Sequence, residues 1–164
     1  MGTCKEHKKQ AFHNDEFRKF IVRHDRPAKY NDWYVTTSFY SAVHYIEAMF
    51  DVIEPSVTIE GVSETVKHSD QLSNKLFTDV TIKPPRKTAH AIRLQTLKEN
   101  SELNGKSVFS RIYIGYNRLY REAQDGIYNF MNPELYNLVS IGSRLDTVSK
   151  LCSELTTFKG GSCK

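Results

Sequence analysis

Apolar residues recur at helical spacing over most of this chain. Between residues 110 and 128, Ile112, Tyr116, Leu119, Ala123 and Ile127 follow one another at steps of four, three, four and four, which lines them along one stripe of an α-helix. That helix is predicted over 106–130, between a break at Gly105 and a turn at Asn132-Pro133. A longer stripe, Val35, Phe39, Ala42, Val43, Ile46, Met49, Phe50 and Ile53, predicts a helix from Asn31 or Asp32 to Ile53, stopped by Pro55. A first helix is expected over 8–23, with Phe12, Phe17, Phe20 and Ile21 on its buried side, and Pro27 closing it. Residues 87–102 and 133–157 complete the set, the last carrying Leu138, Ile141, Leu145, Val148, Cys152 and Leu155 as a heptad-like seam.

The periodicity fades over 56–85. Val57, Ile59, Val62 and Val66 suggest a short extended piece or an irregular turn, residues 78–82 alternate like a strand, and one short helix fits 69–76. The expected architecture is all-α: an up-and-down bundle of about five helices with a long irregular connection between the second and third. The seam should pack inside that bundle, and Gly115 and Gly126 mark places where helices approach closely. One domain is expected over 1–158, followed by a flexible tail, 159–164.

A chain of 164 residues can bury a core without disulfide or metal. No apolar run approaches the roughly 20 residues of a membrane span, and the N-terminus lacks the apolar core of a signal peptide, so a cytoplasmic protein without membrane contact is expected. The three cysteines, Cys4, Cys152 and Cys163, are an odd number and are expected as reduced thiols. Cys4, His7 and His13 match no zinc spacing, so neither metal nor cofactor is expected. The net charge of +4 is concentrated: the first thirty residues hold eight of the 23 basic residues and only four of the 19 acids. Such an arm suits phosphates or an acidic partner, and equally a solvated helix face.

Opposite the greasy stripe of the second helix lie Thr37, Tyr40, Ser41, His44, Glu47 and Asp51. His44 and Glu47 are three apart, the spacing at which a carboxylate can hold an imidazolium for proton transfer. His90 and Arg93 share a face of the next helix and could bind phosphate or stabilise charge on it. Tyr113, Tyr116, Tyr120, Tyr128 and Tyr136, interleaved with Arg111, Arg118, Arg121 and Arg144, could stack bases or fill core space. A Gly-rich phosphate loop, a nucleophile elbow, paired metal-binding carboxylates and a zinc pattern are all missing, which disfavours P-loop enzymes, serine hydrolases and metalloenzymes.

Three pieces in order, Asp32-Trp33 through Phe39-Tyr40-x3-His44-x2-Glu47-Ala48, then His90-x2-Arg93, then Tyr116-x2-Leu119-x3-Ala123-x2-Gly126-Ile127-Tyr128, cover about residues 30–130. Together they resemble the small stand-alone prokaryotic branch of the HEPN-like proteins. Ala123 stands where that family usually has Ser and Ile127 where it has Arg, and no late helix carries the Arg-x4-to-6-His motif of HEPN ribonucleases. The resemblance implies a helical bundle, homodimerisation through helix packing and a link to RNA, nucleotides or defence and stress systems. The expected function is a non-catalytic binding module, dimeric, for RNA, a nucleotide or a partner protein, with Tyr40, His44, Glu47, His90, Arg93 and Tyr128 as its surface. One alternative is a metal-independent ribonuclease using His44 or His90 as general acid/base and Arg93 to stabilise the phosphorane. Another is a structural or regulatory homodimer joined through the seam from Leu138 to Leu155.

Overall fold

A computed structural model describes residues 2–24, 30–78, 87–103, 107–128 and 137–158. Six helices and one hairpin appear among them, in the order α1 (Cys4–His24), α2 (Asn31–Ile53), β1 (Ser56–Ile59), β2 (Val62–Thr65), α3 (Ser69–Thr78), α4 (Ala89–Leu103), α5 (Ser107–Tyr128) and α6 (Leu138–Phe158). The chain is mostly helical, as its periodicity predicts.

The central helix is α2, packed against α1, α5 and α6. Its stripe is wide enough to bury Val35, Phe39, Ala42, Val43, Ile46, Met49 and Phe50 at once. Burial of each large side chain among these contributes about 1.5–3 kcal/mol. The helix stops where Glu54 turns left-handed (φ 51°), its N–H reaching back 2.8 Å to the Phe50 carbonyl, one residue before Pro55.

Over its described residues, the connection that reads as irregular forms a hairpin and α3. β1 and β2 pair antiparallel in the register Ser56↔Thr65 to Ile59↔Val62, and the two residues between them, Glu60 (φ 50°) and Gly61 (φ 82°), both have the positive φ of a type I′ turn. Val57 and Ile59 point into the core, and Asn100 Nδ2 donates to the Ser56 carbonyl at 2.8 Å, which fastens the hairpin to α4. Thr78 ends α3, and the rest of the strand expected over 78–82 lies outside the described residues. So does the tail at 159–164.

The face of α1 requires a correction. Phe12, Phe17 and Phe20 are 61%, 44% and 54% exposed, and the helix instead buries Cys4, Ala11, Arg18 and Ile21. The small Ala11 lets α1 sit close on α2, where the Ser41 hydroxyl donates to the Ala11 carbonyl at 2.7 Å. Arg18 is tied by Nε to Asp15 (2.8 Å) and by Nη1 to the Tyr34 hydroxyl (2.6 Å), which itself donates to the Leu138 carbonyl of α6 at 3.2 Å. Arg18 is thereby withdrawn from the basic surface. Phe17 and Phe20 line a shallow apolar groove of about 300 Å³ with Tyr30 and Trp33, away from the polar residues considered below.

The seam of α6 faces inward: Ile141, Leu145, Val148 and Cys152 are buried, with Leu138 and Leu155 packed partly against the same core. It is therefore not available as a dimer interface, and the homodimer drawn through it is corrected. A Cβ on Gly115 would meet Val148 Cγ2 at 2.9 Å, so the close approach expected of that glycine is between α5 and α6. The expectation of reduced thiols is met by Cys152, which is free and buried, but Cys4 is disulfide-bonded, held at the packed start of α1 rather than in a loose arm. Among the described residues no helix is long and apolar enough to cross a membrane.

Candidate functional site

Residues 44, 47 and 51 fall on one face of α2, and that face looks toward α1, the start of α3, and α4. Glu47 is the hub. It is 2% exposed, as is Arg93 of α4, and Arg93 Nε donates to Glu47 Oε1 at 2.5 Å. The other oxygen, Oε2, accepts the backbone N–H of Ser69 at 3.0 Å, so the carboxylate also sits at the N-terminus of α3. Burying two charges is costly unless every donor and acceptor is matched. Here both carboxylate oxygens of Glu47 and all three guanidinium nitrogens of Arg93 have a partner.

Arg93 spends its remaining donors on the same neighbourhood. Nη1 donates to His90 Nδ1 at 3.0 Å, and Nη2 donates to Asp70 Oδ1 at 3.2 Å. The Tyr116 hydroxyl of α5 lies 3.2 Å from the same His90 nitrogen. Since an arginine can only donate, His90 Nδ1 must accept, and this hydrogen-bond pattern assigns its proton to Nε2. Burial first, and the Arg93 charge second, push the His90 pKa below its ordinary value. Tyr116, buried, is pushed up to about 12 and stays a phenol. Burial works against the Arg93 charge, but Tyr116 and Glu47 outweigh it and raise the pKa of Arg93 above the usual guanidinium value.

Three more histidines lie on the other side of Glu47. His7 of α1 and His44 of α2 face each other with 3.0 Å between their Nδ1 atoms, so one donates and the other accepts. The ring of His68, in the turn before α3, is 5.5 Å from that of His7. His68 Nδ1 is 3.9 Å from Glu47 Oε2, and its Nε2 is 3.7 Å from Asp51 Oδ1. Asp51 Oδ2 accepts the Cys4 N–H at 2.8 Å, which ties the start of α1, and with it His7, to the end of α2. Burial lowers the pKa of both His7 and His44; for His44 the neighbouring His7 lowers it further. One ligand atom from each of His7, Glu47 and His68 lies within 4.8 Å of the others.

Of the residues expected from the sequence, the structure joins Glu47, His90 and Arg93 directly and sets His44 on the adjacent side, against His7. Tyr40 is not in the network: it is 44% exposed, its ring 5.3 Å from that of Phe39. Tyr128 closes α5, and its side chain lies outside what the structure describes. Arg93, expected to bind phosphate, is buried, and each of its three guanidinium nitrogens donates to Glu47, His90 or Asp70. The Cys4, His7 and His13 grouping does not form, since Cys4 is disulfide-bonded and His13 is exposed. His7, Glu47 and His68, which were not grouped from the sequence, bring their ligand atoms together. Sequence reasoning missed His68 and Asp70, and weighed His7 only beside Cys4 and His13. No motif spacing links positions 7, 47 and 68, which belong to three separate elements. The one local signal is His68-Ser69-Asp70 at a helix start.

Beside His68 opens a cavity of about 380 Å³ lined by Glu64, Lys67, His68, Gln71, Leu72 and Lys75. Lys67 pairs with Glu54 at 2.6 Å and Lys75 with Glu64 at 2.7 Å, both lysines being exposed. The chain matches no family model, no curated protein and no solved structure.

Proposed function

We propose that this chain is a non-catalytic binding module of the HEPN-like kind that takes a phosphate-bearing ligand, RNA or a nucleotide, in the cavity beside His68. The observation that carries the reading is that Lys67, His68 and Lys75 line one cavity. Exposed ion pairs of the kind Lys67 and Lys75 make with Glu54 and Glu64 contribute little, so a phosphate can displace them. The HEPN-like assignment is supported by the order of the helices and by the meeting of the histidine-bearing α2 with the His90-x2-Arg93 helix. The non-catalytic assignment is supported by Arg93, whose three guanidinium nitrogens are held by Glu47, His90 and Asp70. A cation so buried and held at all three nitrogens is placed to position its neighbours rather than to meet a transition state.

One observation favours the ribonuclease reading instead: the His7–His44 contact is a pair of imidazoles sharing a hydrogen bond. General acid/base cleavage, however, places its acid and base on opposite sides of the scissile phosphate, whereas these two touch each other.

Fluorescence anisotropy with labelled hairpin RNA and with labelled ATP, in chelator, tests the binding reading. Saturable binding that weakens with salt, and weakens by about tenfold or more in Lys67→Glu/Lys75→Glu, is expected. No saturable binding to either probe, or binding indifferent to both lysines, would contradict it.

A further inference from the structure

We infer that His7, His68 and Glu47 form a binding site for one divalent transition-metal ion of the Zn2+ class. Two imidazoles and a carboxylate are a common three-residue ligand set for such an ion, with a fourth position left open. Around a tetrahedral ion with bonds of roughly 2.0–2.1 Å, ligand atoms stand about 3.3–3.4 Å apart. The three ligand atoms here already lie within 4.8 Å of one another, so side-chain rotation closes the remaining distance. Imidazole nitrogen favours zinc, copper or nickel over magnesium or calcium.

The surroundings are those a metal site needs. Metal-ligating side chains are oriented by further hydrogen bonds. Glu47 is fixed by Arg93 Nε on Oε1 and by the Ser69 N–H on Oε2. His68 turns Nδ1 toward Glu47 and Nε2 toward Asp51, the arrangement in which a carboxylate orients the ring and leaves the other nitrogen for the ion. His44 stands against His7 in the same supporting place. A second, independent observation lies at the same spot. The hydroxyl oxygen of Ser69, the residue after His68, is buried and makes no hydrogen bond with any described residue. Buried hydroxyls are normally paired, and a water on the open position of the ion supplies a partner.

The ion would join α1, α2 and the start of α3. The inference stands apart from the phosphate reading, because metal binding is measured without RNA and RNA binding is measured in chelator. Untagged, chelator-treated protein is titrated with Co2+ and then with Zn2+. One equivalent of Co2+ should produce the visible absorption band of a tetrahedral nitrogen-oxygen site, which Zn2+ abolishes by displacement, and Zn2+ should raise the melting temperature. His7→Ala and His68→Ala should each weaken binding by about tenfold or more. His13→Ala and His24→Ala, both at exposed positions of α1, should leave it unchanged. Circular dichroism checks the fold of each variant, and His68→Asn replaces His68→Ala if the latter unfolds. Absence of a stoichiometric band, or a band that survives loss of His7 and His68 or disappears with His13, would overturn the assignment.

Discussion

Glu47 and Arg93 lie on α2 and α4, 46 positions apart, yet their side chains meet at 2.5 Å in a setting where each is 2% exposed. The pair organises everything around it: Ser69, Asp70 and His90 are all held by one or other partner.

Removing one half of such a pair leaves an uncompensated buried charge. Glu47→Leu or Arg93→Met alone is expected to cost about 3–5 kcal/mol, and the double variant Glu47→Leu/Arg93→Met to recover a large part of that loss. Urea denaturation of the two single variants and the double variant measures the coupling. A single-variant cost below about 1 kcal/mol would show that the pair is not the hub.

Gly115 packs where a Cβ would touch Val148 Cγ2 at 2.9 Å. Alanine gains about 1 kcal/mol in helix propensity, while overpacking a core costs about 1–3 kcal/mol, so Gly115→Ala should be neutral to destabilising rather than stabilising. Val148→Ala, which opens the space, should cost less in the Gly115→Ala background than alone. Equal costs in thermal denaturation would mean that α5 and α6 do not meet at this point.

The seam of α6 gives a sharper outcome. Leu145 is buried in the core, so Leu145→Asp should abolish the helical circular dichroism signal instead of only changing the oligomeric mass. A folded, helical variant would contradict the packing of α6.

His90 makes stability depend on pH. Its folded pKa is lowered from 6.5, by burial first and Arg93 next. Above about 6.5 the ring is neutral in both states and contributes no slope. As pH falls below that, the unfolded chain takes the proton first, so stability declines until pH passes the folded pKa. His90→Gln should flatten this part of the profile. A titration of the His90 ring followed by NMR with a midpoint at or above 6.5 would refute the buried, accepting tautomer.

Much of this was legible in the sequence, and the reasons differ by element. The boundaries of α2 follow from an unbroken stripe ending at Pro55, and the presence of α5 and α6 from repeats long enough to fix the period, although α6 starts at Leu138 and not at 133. The hairpin is two four-residue strands, too short for periodicity to separate from an irregular turn, and its Glu60-Gly61 turn is a weak signal beside Asn-Gly. On α1 hydrophobicity misled: three phenylalanines stay outside because contact with α2 selects the small Ala11 and the paired Arg18. In the site, Glu47, His90 and Arg93 could be named because helical spacing ties His44 to Glu47 and His90 to Arg93. His7 and His68 could not, since only the folding of α1 and of the hairpin brings them to Glu47.

Whether the site binds RNA without cutting it is read on a denaturing gel. Labelled hairpin RNA is incubated with the wild-type protein and with His44→Ala in chelator, at protein concentrations that saturate the anisotropy signal. Full-length RNA is expected in every lane. Cleavage products in the wild-type lane that vanish with His44→Ala would contradict it and assign the histidines to catalysis.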